Sequence, residues 1–158
     1  MSKPPEARNP EFAAVVRESF ARQALMATLG AELTLVEAGQ VHVGFPKSER
    51  LAQQNGFVHA GAIASVADSA CGYAAFTLAP ADTDVLAVEF KINLLAPARA
   101  PRFEARARVV RSGRTLSTCY AEVFGIQEDG DELVATMMST IIVRSKGGQG
   151  DPDGKSGT

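Results

Sequence analysis

Residues 57–79 read FVHAGAIASVADSACGYAAFTLA, a stretch of bilayer-spanning length that carries one formal charge, Asp68. A carboxylate at the centre of a membrane span costs about 2.5–3.5 kcal/mol on insertion scales, and the apolar content here is mostly alanine. The stretch therefore reads as a helix buried in a protein core, running from about His59 or Ala60 to Leu78 and closed by Pro80. Because it is apolar nearly all round, a sheet has to cover more than one of its sides. The flank left over calls for a second subunit.

The flanking sequence supplies that sheet. Upstream, Phe12, Val15, Val16, Phe20, Leu25, Met26 and Leu29 recur at helical spacing between Glu11 and Leu29, with Gly30 as a stop. Two short strands follow, near 32–37 and 41–46, split by the turn Ala38-Gly39-Gln40, and 47–58 reads as a polar loop. Downstream, residues 85–95 place Leu86, Val88, Phe90, Ile92 and Leu94 on one face. Strands at 102–111, 115–126 and 132–144 follow, joined by turns at Ser112-Gly113 and Glu128-Asp129-Gly130. One apolar helix among antiparallel strands is an α+β arrangement, and a curved sheet wrapped around the helix satisfies its burial.

The 158 residues suit one domain, expected over 11–144. Residues 1–10 read as a flexible lead-in and 145–158 as a disordered Gly-rich tail. A formal charge of −2 argues against nucleic acid or an anionic membrane as the main partner. The start, MSKPPEARNP, lacks the pattern of a secretory signal, and Cys71 and Cys119 read as buried free thiols, so a cytoplasmic location is expected. No Cys/His cluster has metal-ligand spacing, and no metal is expected.

Candidate chemistry gathers where the polar loop enters the long helix. The first N–H groups of a helix are unpaired and lie at the positive end of its dipole, a place for a developing oxyanion. His59 stands at that junction, followed by Ala60 and Gly61. Asp68 is the one charged residue between His59 and Pro80. Its helical neighbours Ala64, Ser65, Cys71 and Gly72 are all small, whereas Ile63, Val66, Ala70 and Tyr73 face away. Taken singly, His59 is as readily a capping histidine, and Asp68 a structural carboxylate; the conjunction is what points to chemistry. Gly61 and Asp68 share a helix face but lie about 10.5 Å apart along the axis. Two such helices packed antiparallel across a two-fold would bring Asp68 of one near Gly61 of the other.

These residues resemble the hotdog-fold acyl-CoA thioesterases, in particular their phenylacetate-degradation-type branch, over roughly 30–144. The family pattern is a polar loop with Asn or Gln, then His-Gly-Gly, then Asp or Glu nine residues after the His. Here it reads Asn55, His59-Ala60-Gly61 and Asp68. The segment 88–98, VEFKINLLAPA, is similar to the family's central strand, and Arg111-Ser112-Gly113-Arg114-Thr115 to its turn beside coenzyme A. The resemblance implies a hotdog fold, a homodimer that completes each site, usually a homotetramer, and hydrolysis of an acyl-CoA without a further cofactor. It makes Asp68 the base or nucleophile and Ala60 or Gly61 the carbonyl-polarising amide of the other subunit. His59 and Asn55 would hold loop, carbonyl or water, with Gln53 and Gln54 as alternatives to Asn55. Gln53, Phe57, Val58, Val88 and Phe90 would line the substrate site, with an acyl pocket near Phe57, Val58, Tyr73 and Phe76. Gly113 and Thr115 would shape the turn from which Arg111 and Arg114 meet phosphate. Ala60 stands where the family has its first glycine, and Ala87 and Gly72 stand where some members carry a hydroxyl. Attack by water and an anhydride intermediate are both open. An acyl-CoA-binding protein without activity and a hotdog dehydratase are the other readings; the second lacks a suitable second histidine, since His42 lies in an early strand.

Overall fold

The computed structural model describes residues 5–146; the ends of the expected lead-in and tail, 1–4 and 147–158, lie outside the described residues. Two helices, α1 (Phe12–Ala21) and α2 (Ala24–Leu29), precede strands β1 (Glu32–Glu37) and β2 (Gln40–Pro46). A single 3-10 turn (Glu49–Leu51) leads to α3 (Ala60–Phe76). Strands β3 (Thr83–Leu94), β4 (Arg102–Ser112), β5 (Leu116–Ile126) and β6 (Glu132–Ser145) complete the chain. The six strands form one antiparallel sheet in the order β1-β2-β4-β5-β6-β3. Helix α3 packs across it, touching every strand from β2 to β3. This is the hotdog fold, α+β, with a long helix held in a curved sheet.

The curvature has a local cause. The register shifts between Leu33 and Leu35 in β1, Ala87 and Glu89 in β3, Val109 and Arg111 in β4, and Val123 and Phe124 in β5. An extra residue on one strand bends it and increases its twist. Alternation then sorts the faces. Phe103, Ala105 and Ala107 are buried toward α3, while Glu104 and Arg106 between them point outward. There Arg106 bonds Glu104 at 3.2 Å and Asp131 at 2.6 Å and lies 4.4 Å over the Phe124 ring. His42 shares that outer face, 4.0 Å from Glu104 and remote from α3, and burial lowers its pKa.

Three expectations need correction. The helix expected over 11–29 is two, because Gln23 takes an extended backbone (φ −78°, ψ 102°) between them. Helix α3 ends at Phe76 rather than Leu78. The buried Thr77 then takes over: its hydroxyl donates to Ala74 O at 2.6 Å and accepts from Gly39 N–H at 2.7 Å. Finally, the apolar face expected of Leu86, Val88, Phe90, Ile92 and Leu94 is broken by the bulge at Val88. Ala87 pairs with the buried Ile141, but two positions later Glu89 pairs with Thr140 on the outer face, so Phe90 and Ile92 turn inward in place of the expected run. Leu86, Val88, Phe90 and Leu94 remain 45–57% exposed, on a strand whose second edge is unpaired among the described residues.

Candidate active site

The loop before α3 is held by its backbone. Gln53 N–H donates to Phe57 O at 2.8 Å and Gly56 N–H to Gln53 O at 2.9 Å, with Gly56 at φ +81°, a conformation that suits glycine. Val58 N–H bonds Ala98 O and His59 N–H bonds Leu51 O. His59 is thereby fixed as the N-cap of α3. Its Nδ1 accepts the Gly61 N–H at 2.8 Å, which leaves the ring proton on Nε2. Of the two amides singled out above, Gly61's is therefore engaged. The Ala60 N–H has no acceptor among the described residues.

A cavity of about 550 Å³ opens at this helix end, lined by Gln53, Gln54, Phe57, Val58, His59, Ala60 and the segment Leu94–Ala98. Asn55 is exposed in the turn outside that lining, where its N–H bonds the Gln53 side chain. Arg99 stacks over the Phe57 ring at 4.7 Å.

Asp68 lies elsewhere. It borders a second cavity of about 320 Å³ with Ser19, Gln23, Ser69, Gly72, Tyr73, Phe76 and the strand residues Asp84–Ala87. Its Oδ1 is buried and accepts no hydrogen bond among the described residues, and burial raises its pKa above the ordinary aspartate value. Nothing within 4 Å would meet a Cβ built on Gly72, so open space stands one turn along from the carboxylate. The acyl pocket expected of Phe57, Val58, Tyr73 and Phe76 is thus divided, the first pair in one cavity and the second in the other.

The two cavities sit at opposite ends of β3. Leu94, beside the first, pairs with Ala135, and Leu86, beside the second, pairs with Ile142. The eight steps between Leu86 and Leu94 span about 26 Å of strand. The row through Ile142 continues to Leu116, so the Arg111–Thr115 turn belongs to the Asp68 end. Arg111 and Arg114 are exposed there; a Cβ on Gly113 would stand 2.7 Å from Leu116 O, which accounts for the glycine. Val88 and Phe90 line neither cavity.

Ser19, Gln23 and Ser69 were not singled out in the sequence, although Ser19 and Gln23 fall at helical spacing from Phe12 and Val16, where an apolar residue would continue the buried face. Their polarity at inward positions was the available signal. Cys71 and Cys119 are free and buried, and burial pushes both thiols up, Cys119 to about 12, so neither is a thiolate nucleophile. Among the described residues no cluster of His, Cys, Asp and Glu is placed to hold a metal ion, and no helix is long and apolar enough to cross a membrane.

The chain thus carries a small-residue helix cradled in a curved sheet, with a buried, unbonded carboxylate oxygen along it and, among the described residues, an amide without an acceptor at its start. Residues 55–133 match the family model described as the thioesterase superfamily, and the chain belongs to that family. A protein of Saccharolobus solfataricus that carries the provisional name esterase is 32% identical over 128 residues, 81% of this chain and 83% of that protein. The 1,4-dihydroxy-2-naphthoyl-CoA hydrolase of Listeria monocytogenes is 29% identical over 122 residues, 77% of this chain and 97% of that enzyme. The crystal structure of a thioesterase family protein from Silicibacter pomeroyi superposes with a TM-score of 0.83 at 46% identity, covering 85% of this chain and 98% of that one.

Proposed function

We propose that this chain hydrolyses acyl-CoA thioesters to a carboxylic acid and free coenzyme A, in the manner of the phenylacetate-degradation-type branch. The observation that carries the reading is Asp68 itself, which borders the smaller cavity beside the open space at Gly72 while its Oδ1 is buried and unbonded among the described residues. A carboxylate in such surroundings is held for chemistry, because an orphaned buried polar group costs stability. The Ala60 N–H polarises the thioester carbonyl, and the Nε2–H of His59, which lines the same cavity, serves as a second donor. Asp68 takes a proton from water as the oxygen attacks the carbonyl carbon, and returns it to the departing thiolate.

Both halves are needed at one substrate, and within a chain they lie apart. Antiparallel pairing of β3 with a partner's β3 near Phe90 brings the His59 cavity of one subunit beside the Asp68 cavity of the other. The half-exposed apolar residues of that free edge support this homodimer. The same pairing sets the Arg111–Arg114 turn at the composite site, where arginine forks suit the phosphates of coenzyme A. A homotetramer is the assembly expected of the branch, coenzyme A enters as part of the substrate with no separate cofactor, and a cytoplasmic acyl-CoA pool is the expected source.

The test is release of free thiol from a panel of aryl-, medium- and long-chain acyl-CoAs by the purified chain. Thiol release that Asp68→Ala abolishes is expected. Saturable acyl-CoA binding without thiol release would overturn hydrolysis in favour of a binding role.

A further inference from the structure

The cavity beside Asp68 ends in a polar wall that the thioester chemistry leaves unused. Tyr73 is buried, its ring against Phe20 and Phe76, yet its hydroxyl meets Gln23 Nε2 at 3.0 Å and Ser19 Oγ at 3.2 Å. Ser69 Oγ donates to Gln23 Oε1 at 3.3 Å. Four polar side chains from α1, the Gln23 break and α3 thus form one chain of hydrogen bonds along the cavity.

Each member of the chain has a countable set of hydrogens. Tyr73 and Ser19 have two hydroxyl hydrogens and one bond between them, so one hydrogen is left over whichever donates. Gln23 donates one amide hydrogen to Tyr73 and keeps a second. The chain therefore keeps a spare hydroxyl hydrogen and a spare amide hydrogen at the cavity wall, which a hydroxyl or keto oxygen can accept.

Resting on the acyl-CoA reading above, the geometry points to Gln23, with Ser19 and Tyr73, as the residues that select an acyl group bearing a hydrogen-bond acceptor, a hydroxyl or keto oxygen, at its far end. Asp68 and Tyr73 are five residues apart, about 7.5 Å along the helix axis. A six-carbon acyl chain with a terminal oxygen covers a span of that order. The break between α1 and α2 gains a purpose, since a continuous helix would not leave Gln23 in its extended conformation.

A matched pair tests this: 6-hydroxyhexanoyl-CoA against heptanoyl-CoA, equal in heavy atoms and differing in the terminal group. The parent chain is expected to favour the hydroxylated thioester at least tenfold in kcat/KM. Gln23→Met is expected to cut that ratio at least fivefold, and Tyr73→Phe to cut it as well. The ratio does not depend on the fraction of enzyme folded, since both substrates meet the same preparation. A parental ratio near one, or a ratio unmoved in Gln23→Met, overturns the inference while the thioesterase reading stands. Turnover of other acyl-CoAs with neither of this pair does the same. Absence of thiol release from every acyl-CoA overturns both.

Discussion

Asp68 is stabilised less as an anion in the folded chain than in water, since its Oδ1 is buried without a donor. Its raised pKa means that the folded state binds the proton more tightly than the unfolded state does. Stability contributed by the protonated form is fully present below the unfolded value of about 3.9 and is lost as pH rises through the folded value. Asp68→Asn should therefore lose at least a hundredfold in kcat. It should also melt a few degrees higher than the parent at pH 7.5, a gap that closes below about pH 3.9. Calorimetry across pH checks the sign, and a lower melting temperature at neutral pH would contradict it. The acid limb of kcat/KM should sit above the ordinary aspartate value. Gly61 carries a second residue-scale prediction. A Cβ there would stand 3.0 Å from His59 Nδ1, so Gly61→Ala displaces the imidazole that caps the helix. A several-fold loss in kcat/KM with an unshifted acid limb is expected.

At the scale of elements, the strands of the sheet and the central helix were legible because their patterns are local. Phe103, Ala105 and Ala107 alternate with Arg102, Glu104 and Arg106, and the helix is apolar between His59 and Pro80 with one exception. What escaped was non-local. Nothing near Val88 announces a bulge; it is set by pairing with β6, some fifty residues on. The break at Gln23 is likewise set by Tyr73 and Ser69 on another helix. His59, Ala60 and Asp68 could be picked out because each is anomalous in its own stretch, whereas Gln23 is anomalous only once its face is known to point inward. The core itself is conventional in its energetics. Phe45 and Phe103 stack at 5.3 Å between ring centroids and are fully buried. Phe45→Ala should cost about 3–5 kcal/mol, read from urea unfolding.

On the scale of the whole molecule, the proposal that each site draws on two chains has a direct consequence. Asp68→Ala and a second inactive variant, Ala60→Pro, which removes the unpaired amide at a helix position that tolerates proline, each spoil a different half. Refolded together in equal amounts, half the dimers are mixed, and each mixed dimer holds one intact site. About a quarter of parental activity should return from two inactive preparations. No recovery on mixing would place both halves in one chain and overturn the shared site. Size-exclusion chromatography with light scattering on Phe90→Lys checks the interface separately, since a charge on the free edge should shift the chain toward monomer.

Helix α3 is held at both ends, by His59 N–H on Leu51 O at its start and by Thr77 on Gly39 N–H at its finish. It resembles a shaft seated in two bearings, unable to turn, so the angular setting of Asp68 is fixed whatever surrounds it. The surroundings are free to vary: the α1–α2 segment touches the Asp68 cavity through Ser19 and Gln23 but takes no part in either bearing. Exchanging those two side chains alone should retune which acyl group is accepted, with the hydrolytic machinery left running on the same axle.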